Sequence, residues 1–143
     1  MILFYTGQKR DANEVLTDQS ERTIEKFQVL KKMKDQVPKF EEILSKGFNI
    51  SDFGTLLDEG WRLKRSISPM ISSPVIDGYY EKAMQSGAIG GKILGAGGGG
   101  FLLFYVEPQN QETVEKNLPD LFKLKFTFDD AGTRITYYDQ TLI

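Results

Sequence analysis

Glycine is concentrated in one short stretch of the chain, and this stretch restricts the possible folds more than any other feature. Seven of the 14 glycines lie between positions 90 and 100, and six apolar residues, 101–106, follow at once. Fixing a glycine costs conformational entropy, so such a cluster indicates unusual backbone angles or a backbone that closely approaches another group. Successive amides in such a turn can form a concave anion site. The stretch predicts a phosphate-binding loop, with a glycine-rich hairpin that binds no ligand as the alternative.

Neither of two common phosphate-binding motifs accounts for this stretch. A Walker A loop requires Gly, four residues and then Gly-Lys-Ser/Thr, but Ser86 stands at its first position and Ile93 follows Lys92. Residues 95–100 satisfy Gly-x-Gly-x-x-Gly. That fingerprint lies between a strand and a helix, because the pyrophosphate lies on the helix N-terminus. Here a buried strand is predicted to follow, so the loop is not a Rossmann turn.

Composition excludes several classes of protein. The 143 residues, 40% apolar and 27% charged, predict one globular domain. A net charge of −2 gives no nucleic-acid footprint, and no apolar run is long enough for a bilayer, so we expect neither partner. Without a signal-peptide pattern we expect a cytoplasmic location. The lack of cysteine and histidine removes thiol chemistry, the commonest general base and the commonest metal ligand.

The spacing of apolar and turn-forming residues predicts a mixture of helices and strands. Helices follow from three- and four-residue steps, and strands from apolar runs or alternation. In chain order we predict a strand at 2–5, a helix from 11 to about 37, a helix from Pro38 to Gly47, a helix capped by Ser51 and Asp52, a helix from Ser73 and Pro74 to Gly87, the glycine segment with its two strands, a short helix at 109–117, and strands at 122–128 and 134–138.

The alternation at residues 122–128 determines the predicted fold class. Apolar and polar residues alternate there without a break, which is typical of a strand with one buried face. One-sided strands favour an antiparallel sheet with helices on a single face. We therefore predict an α+β domain of about four strands in two β–α–β-like halves, with extra helices in the first half.

Several motifs together resemble the GHMP small-molecule kinases, which include galactokinase and homoserine, mevalonate and phosphomevalonate kinases. Residues 92–101 are similar to the third conserved motif of this family, and residues 3–7 with Arg10 are similar to the strand that begins its C-terminal domain. Residues 61–69 and 137–139 are most similar to the sugar-kinase branch acting on D-glycero-D-manno-heptose 7-phosphate, followed by fucokinases. The resemblance covers nearly the whole chain and implies a ferredoxin-like sheet with helices.

The same resemblance implies that the chain is one domain of a longer enzyme. GHMP kinases carry their phosphate loop, a Pro-x-x-x-Gly-Leu-Gly-Ser-Ser-like motif, in an N-terminal domain, and no such stretch occurs here. ATP and Mg²⁺ would be bound mainly by that domain, which usually also supplies the aspartate near the acceptor hydroxyl. We expect residues 1–143 to be a C-terminal domain that binds a sugar or sugar phosphate together with its own N-terminal kinase domain. Alone it would be inactive, without a catalytic residue or a metal ligand.

The candidate binding residues fall into three groups. The loop residues would offer amide groups and close approach, the residues after the first strand suit an anion at a helix N-terminus, and the basic pair suits the phosphate of a sugar phosphate. A solvated arginine explains the second group equally well, and helix C-terminal charge explains the third almost as well. The candidates are Gly95, Ala96, Gly97, Gly98 and Gly99 in the loop, Thr6 and Arg10 after the strand, and Lys64 and Arg65 near a helix end.

Three further residues are expected to have structural roles. We slightly favour a structural role for Lys92, and we expect Trp61 and Tyr79 in the core because they lie on apolar stripes.

Fold class alone leaves two alternative functions open: a stand-alone ligand-binding or regulatory module, and a structural interaction domain. A module would bind its ligand unaided, and in a structural domain glycine substitutions would change only stability.

Overall fold

The computed structural model describes residues 1–47, 49–135 and 137. Within this part of the chain, four strands form one sheet, and helices fill the connections between them. The strands are β1 (Ile2–Tyr5), β2 (Ala88–Ile93), β3 (Phe101–Val106) and β4 (Phe122–Leu124). The helices are α1 (Ala12–Glu21), α2 (Phe27–Asp35), α3 (Val37–Lys46), α4 (Ser51–Arg65), α5 (Pro74–Gln85) and α6 (Gln111–Asn117), with a 3₁₀ turn at Pro108–Asn110.

The sheet has the strand order β2-β3-β1-β4, and every neighbouring pair is antiparallel. β2 and β3 form a hairpin around the glycine stretch, with Ile93 opposite Leu102. β1 then pairs with the far side of β3, with Tyr5 opposite Phe101. This interleaving of two β–α–β units is the ferredoxin-like arrangement. The predicted α+β fold with an antiparallel sheet of about four strands is confirmed.

One face of the sheet forms the core together with the helices. Alternate strand residues such as Phe4 and Phe104 are fully buried, whereas their neighbours Leu3 and Tyr5 are only partly buried. Trp61 of α4 is 1% exposed and belongs to the same cluster, as predicted. Each such side chain contributes roughly 1.5–3 kcal/mol through removal of apolar surface from water. The core therefore ties β1 and β3, and with them both ends of the glycine stretch, to the helical layer.

Two predicted helix boundaries are wrong. Residues 11–37 form two helices, because the chain leaves α1 after Glu21 and makes hydrogen-bonded turns at 22–26 before α2 begins. No glycine or proline stands in that turn. Ser51 is not a cap but the first residue of α4, where its amide donates to the Asn49 side chain at 3.2 Å. The Ser73 cap is correct, since its Oγ accepts from the amide of Ile76.

The predicted strands after residue 121 also differ from the structure. β4 covers only Phe122–Leu124, and residues 125–128 are in no strand. The apolar side chains of the alternating stretch do not form a buried face either, because Phe122 is 69% exposed and Phe128 is 82% exposed. Residues 134, 135 and 137 are in no strand, and Thr136 and Tyr138 lie outside the described residues. Among the described residues, no helix is long and apolar enough to cross a bilayer.

Candidate functional site

The glycine loop, residues 94–100 between β2 and β3, is tied to two other segments of the chain. The Gly98 amide donates to the carbonyl of Ile71 at 2.8 Å, and the Gly100 amide donates to the carbonyl of Gln8 at 3.0 Å. Thr6 donates both its amide and its hydroxyl to the Gly100 carbonyl, each at 2.9 Å. These bonds fix the loop against the end of β1 and against the segment between α4 and α5.

Close approach of the protein's own backbone explains the need for glycine at the centre of the loop. A Cβ at Gly97 would lie 2.8 Å from the Ile71 carbonyl oxygen, and the φ of Gly97 is +118°. A Cβ at Gly99 would lie 2.5 Å from the Gln8 carbonyl oxygen. Both neighbours are backbone atoms, which cannot move aside as a flexible side chain does. These glycines are therefore required by the fold, whatever the loop binds.

Several amides in the loop have no acceptor within the described part of the chain. They belong to Gly95, Ala96, Gly97 and Gly99, whereas Leu94, Gly98 and Gly100 donate to backbone carbonyls. The loop lines a cavity of about 450 Å³ together with the end of β1 and the residues leading into α1. Unpaired amides of a glycine-rich turn beside a cavity are suited to bind the oxygens of an anion.

Two basic side chains lie at the same cavity. Arg10 lines it, with its stem beside Gly98 and one guanidinium nitrogen 3.3 Å from the Met70 carbonyl oxygen. Lys9, which sequence reasoning missed, also lines the cavity and has no carboxylate partner among the described residues. Its position directly before Arg10, between a strand and a helix, is the signal that could have found it. Thr6 is 5% exposed and uses its hydroxyl hydrogen on the loop, so it positions the loop.

The two basic residues near the end of α4 point to different places. The ammonium of Lys64 donates to the Gly95 carbonyl, so Lys64 touches the glycine loop. Arg65 forms an ion pair with Asp77 at 2.6 Å and lies 5.8 Å from the ring centre of Trp61. Successive helical residues are about 100° apart around the axis, which separates them. The structure thus brings Lys64, but not Arg65, to the loop.

Burial affects the charge of Lys64. Burial lowers the pKa of Lys64, and the positive charge of nearby Lys92 lowers it further. An anion placed beside the Lys64 ammonium would favour its charged form. Lys92 is therefore electrostatically coupled to the loop neighbourhood, which the sequence interpretation did not anticipate.

The residues do not suit a metal ion. Within the described residues there is no group of three or more Asp or Glu side chains that could hold one. The loop offers donors, which fit phosphate oxygens and not a cation.

Comparison with known proteins identifies the family. Residues 37–124 match the family model described as GHMP kinases C terminal. The chain is 32% identical over 125 residues to D-glycero-alpha-D-manno-heptose 7-phosphate kinase of Campylobacter jejuni, covering 82% of this chain and 35% of the relative. It is 30% identical over 107 residues to the bifunctional fucokinase/GDP-fucose pyrophosphorylase of Arabidopsis thaliana, covering 72% of this chain and 10% of the relative.

Solved structures agree on the fold. L. major mevalonate kinase in complex with R-mevalonate has a TM-score of 0.71 at 20% identity, covering 85% of this chain and 40% of that one. The Methanococcus jannaschii mevalonate kinase has a TM-score of 0.63 at 25% identity, and the match covers 85% of this chain and 38% of that one. The chain thus spans at most about two fifths of the length of these proteins. On the family match, this chain belongs to the GHMP kinases and corresponds to their C-terminal domain.

Proposed function

We propose that this chain is the C-terminal domain of an ATP-dependent sugar kinase and that its glycine loop forms one wall of the substrate cleft. The acceptor is a sugar or sugar phosphate of the heptose-phosphate kind. The similarity to a heptose 7-phosphate kinase supports this acceptor class. The observation that carries the proposal is a set of unpaired amides in a loop that lines a cavity, together with two basic side chains at that cavity that form no ion pair among the described residues.

Phosphoryl transfer depends mainly on positioning and on stabilisation of developing negative charge. In this proposal the amides of Gly97 and Gly99 donate to phosphoryl oxygens. Arg10 and Lys9 add positive charge at the same cavity, and Thr6 holds the loop in register with β1. ATP supplies the transferred phosphoryl group when it is bound. No residue of this chain abstracts a proton in the scheme.

A second domain completes the site. The phosphate loop that holds the nucleotide, and the Mg²⁺ that accompanies it, belong in this proposal to an N-terminal domain of the same kinase. The relatives leave room for such a domain, since the chain spans 35% of the heptose-phosphate kinase. The isolated chain would then lack one side of the cleft and transfer no phosphate.

The sharpest test adds a charge at the loop without adding a clash. A Cβ at Gly100 meets nothing within 4 Å, and Gly100 lines the cavity. Its φ of +88° is tolerated by Asn and Asp better than by other residues. We expect Gly100→Asp to lower kcat/KM of the complete two-domain enzyme about 10-fold relative to Gly100→Asn, because one charge near a bound phosphate costs on the order of 1–4 kcal/mol.

The two substitutions have nearly the same shape, so their difference isolates charge. Equal kcat/KM values for the two variants would contradict the role of the loop. A parallel titration of ATP and sugar phosphate against the isolated chain separates the kinase from a stand-alone module. Tight binding without the N-terminal domain would favour the module.

A further inference from the structure

A second cavity lies next to the glycine loop but is built from other elements. It encloses about 200 Å³ between α2, α3, α4 and β2. Its apolar wall is formed by Met33, Phe40 and Leu57, and its charged groups are Lys64 and Lys92. We call it the lysine pocket.

The two lysines are not neutralised by the protein. Among the described residues, no carboxylate pairs with either of them, whereas nine other Lys and Arg side chains form ion pairs. No Asp or Glu lines the pocket, and Gln36 there donates its amide to Glu59 at 3.2 Å. Lys64 is half-buried, and the positive charge of Lys92 acts on it. Two like charges held together beside an apolar wall are unfavourable without a counter-charge.

The lysine pocket adjoins the glycine loop through a shared residue. Lys64 donates to the Gly95 carbonyl, so one residue borders both the pocket and the loop. Trp61 also lines the pocket, and its buried indole N–H has no acceptor among the described residues. Buried donors are normally paired with protein, water or ligand.

A solvated surface pair is the ordinary explanation for two neighbouring lysines. It fits poorly here because Lys64 is not extended into water but folded back onto the loop backbone. The pocket is also large enough for an oxyanion with a few attached carbons, and its apolar wall matches such a ligand.

We propose that the lysine pocket binds an oxyanion group of the acceptor substrate, a phosphate or a carboxylate, through Lys64 and Lys92. The loop cavity would then take the transferred phosphoryl group, and the pocket would hold the acceptor by its own anionic end. The identity of the ligand as acceptor rests on the proposed kinase function, but the oxyanion site itself does not. The sequence predicted that Lys64 and Arg65 bind an anion together. In this proposal Lys92 acts with Lys64 instead, because Arg65 already forms an ion pair with Asp77.

The test uses the 143-residue chain without nucleotide. Trp61 is the only tryptophan, so its fluorescence reports on the pocket. We expect inorganic phosphate, titrated at constant ionic strength, to bind saturably with a dissociation constant on the order of 1–10 mM. Lys92→Gln is expected to weaken binding about 10-fold and Lys92→Arg to retain it, because the charge provides the attraction.

Lys34→Gln is the matched control, since Lys34 is an exposed lysine of α2 outside the pocket. It should leave the dissociation constant unchanged. A second titration with acetate distinguishes the two chemistries. Phosphate binding alone assigns a phosphate group, and acetate binding of equal strength assigns a carboxylate.

The proposal is overturned if neither anion saturates or if Lys92→Gln binds like the unaltered chain. Should Lys92→Gln fail to fold, the indole N–H resonance of Trp61 in the unaltered chain decides, because it must shift on addition of the anion. If the chain binds phosphate but the two-domain protein transfers none, the oxyanion site is supported and the proposed kinase function is contradicted. If the two-domain protein transfers phosphate but the chain binds no anion, the kinase function is supported and the oxyanion site is contradicted.

Discussion

At Gly90 the backbone of β2 lies close to the backbone of α4. A Cβ there would lie 1.9 Å from the carbonyl oxygen of Gly54 in α4. A Cβ at Gly54 would meet a side chain instead, since it would lie 2.7 Å from a ring carbon of Tyr105. The sequence indicated either unusual backbone angles or close approach at these glycines, and it did not show a partner. Partners are set by tertiary packing: Gly90 approaches α4, and Gly97 approaches Ile71.

Gly90→Ala is expected to destabilise the domain strongly, by about 4 kcal/mol or more, because the backbones of β2 and α4 would have to move apart. Gly78→Ala is the control. Gly78 lies within α5, where a Cβ meets nothing within 4 Å, so alanine should stabilise the chain by about 0.5–1 kcal/mol. Chemical denaturation of both variants measures the difference. Similar stabilities would show that α4 and β2 pack less closely in solution than in this structure.

At the scale of single elements, local signals predict some boundaries of helices and strands but not others. The Ser73-Pro74 pair located the start of α5 correctly. The alternation at 122–128 did not give the length of β4, because a strand needs a partner. β4 pairs with β1 in the register Leu3 to Leu124, and β1 begins at Ile2, so residues after 124 have almost nothing left to pair with. The break between α1 and α2 likewise has no local marker.

Ser73→Ala tests the cap of α5. Its Oγ accepts from the Ile76 amide at 3.3 Å, and its loss leaves an amide of the first turn unpaired. We expect a loss of about 1 kcal/mol in the free energy of unfolding. Ser86→Ala, which removes an exposed hydroxyl bonded to the Lys82 carbonyl, should change it by less than about 0.5 kcal/mol. Equal effects would mean that the cap does not hold α5.

For the whole molecule, the sequence patterns predicted the fold class, whereas only the family resemblance implied the ferredoxin-like arrangement of the sheet. Alternation and element order indicate an α+β sheet, but nothing local places β1 between β3 and β4. The candidate site was likewise only partly predictable from the sequence. The glycine loop was recognisable, but the separation of Lys64 from Arg65 and the approach of Lys92 arise only when α4 packs on β2.

Two phenylalanines test which face of the sheet holds the fold together. Phe104 is fully buried and contacts the rings of Phe4 and Tyr80, whereas Phe122 is 69% exposed. We expect Phe104→Ala to cost about 3–5 kcal/mol and Phe122→Ala less than about 0.5 kcal/mol. Thermal unfolding of the two variants compares them directly. A large loss for Phe122→Ala would indicate that its face of the sheet is covered in solution.

The bonds from Gly98 to Ile71 and from Gly100 to Gln8 hold the glycine loop at two separate points. A segment already fixed in this way has little backbone freedom left to lose when a ligand arrives. It is preorganised in spite of its glycine content. If the chain is part of a two-domain kinase, as we propose, we expect closure around the substrate to occur by movement of the other domain relative to this loop.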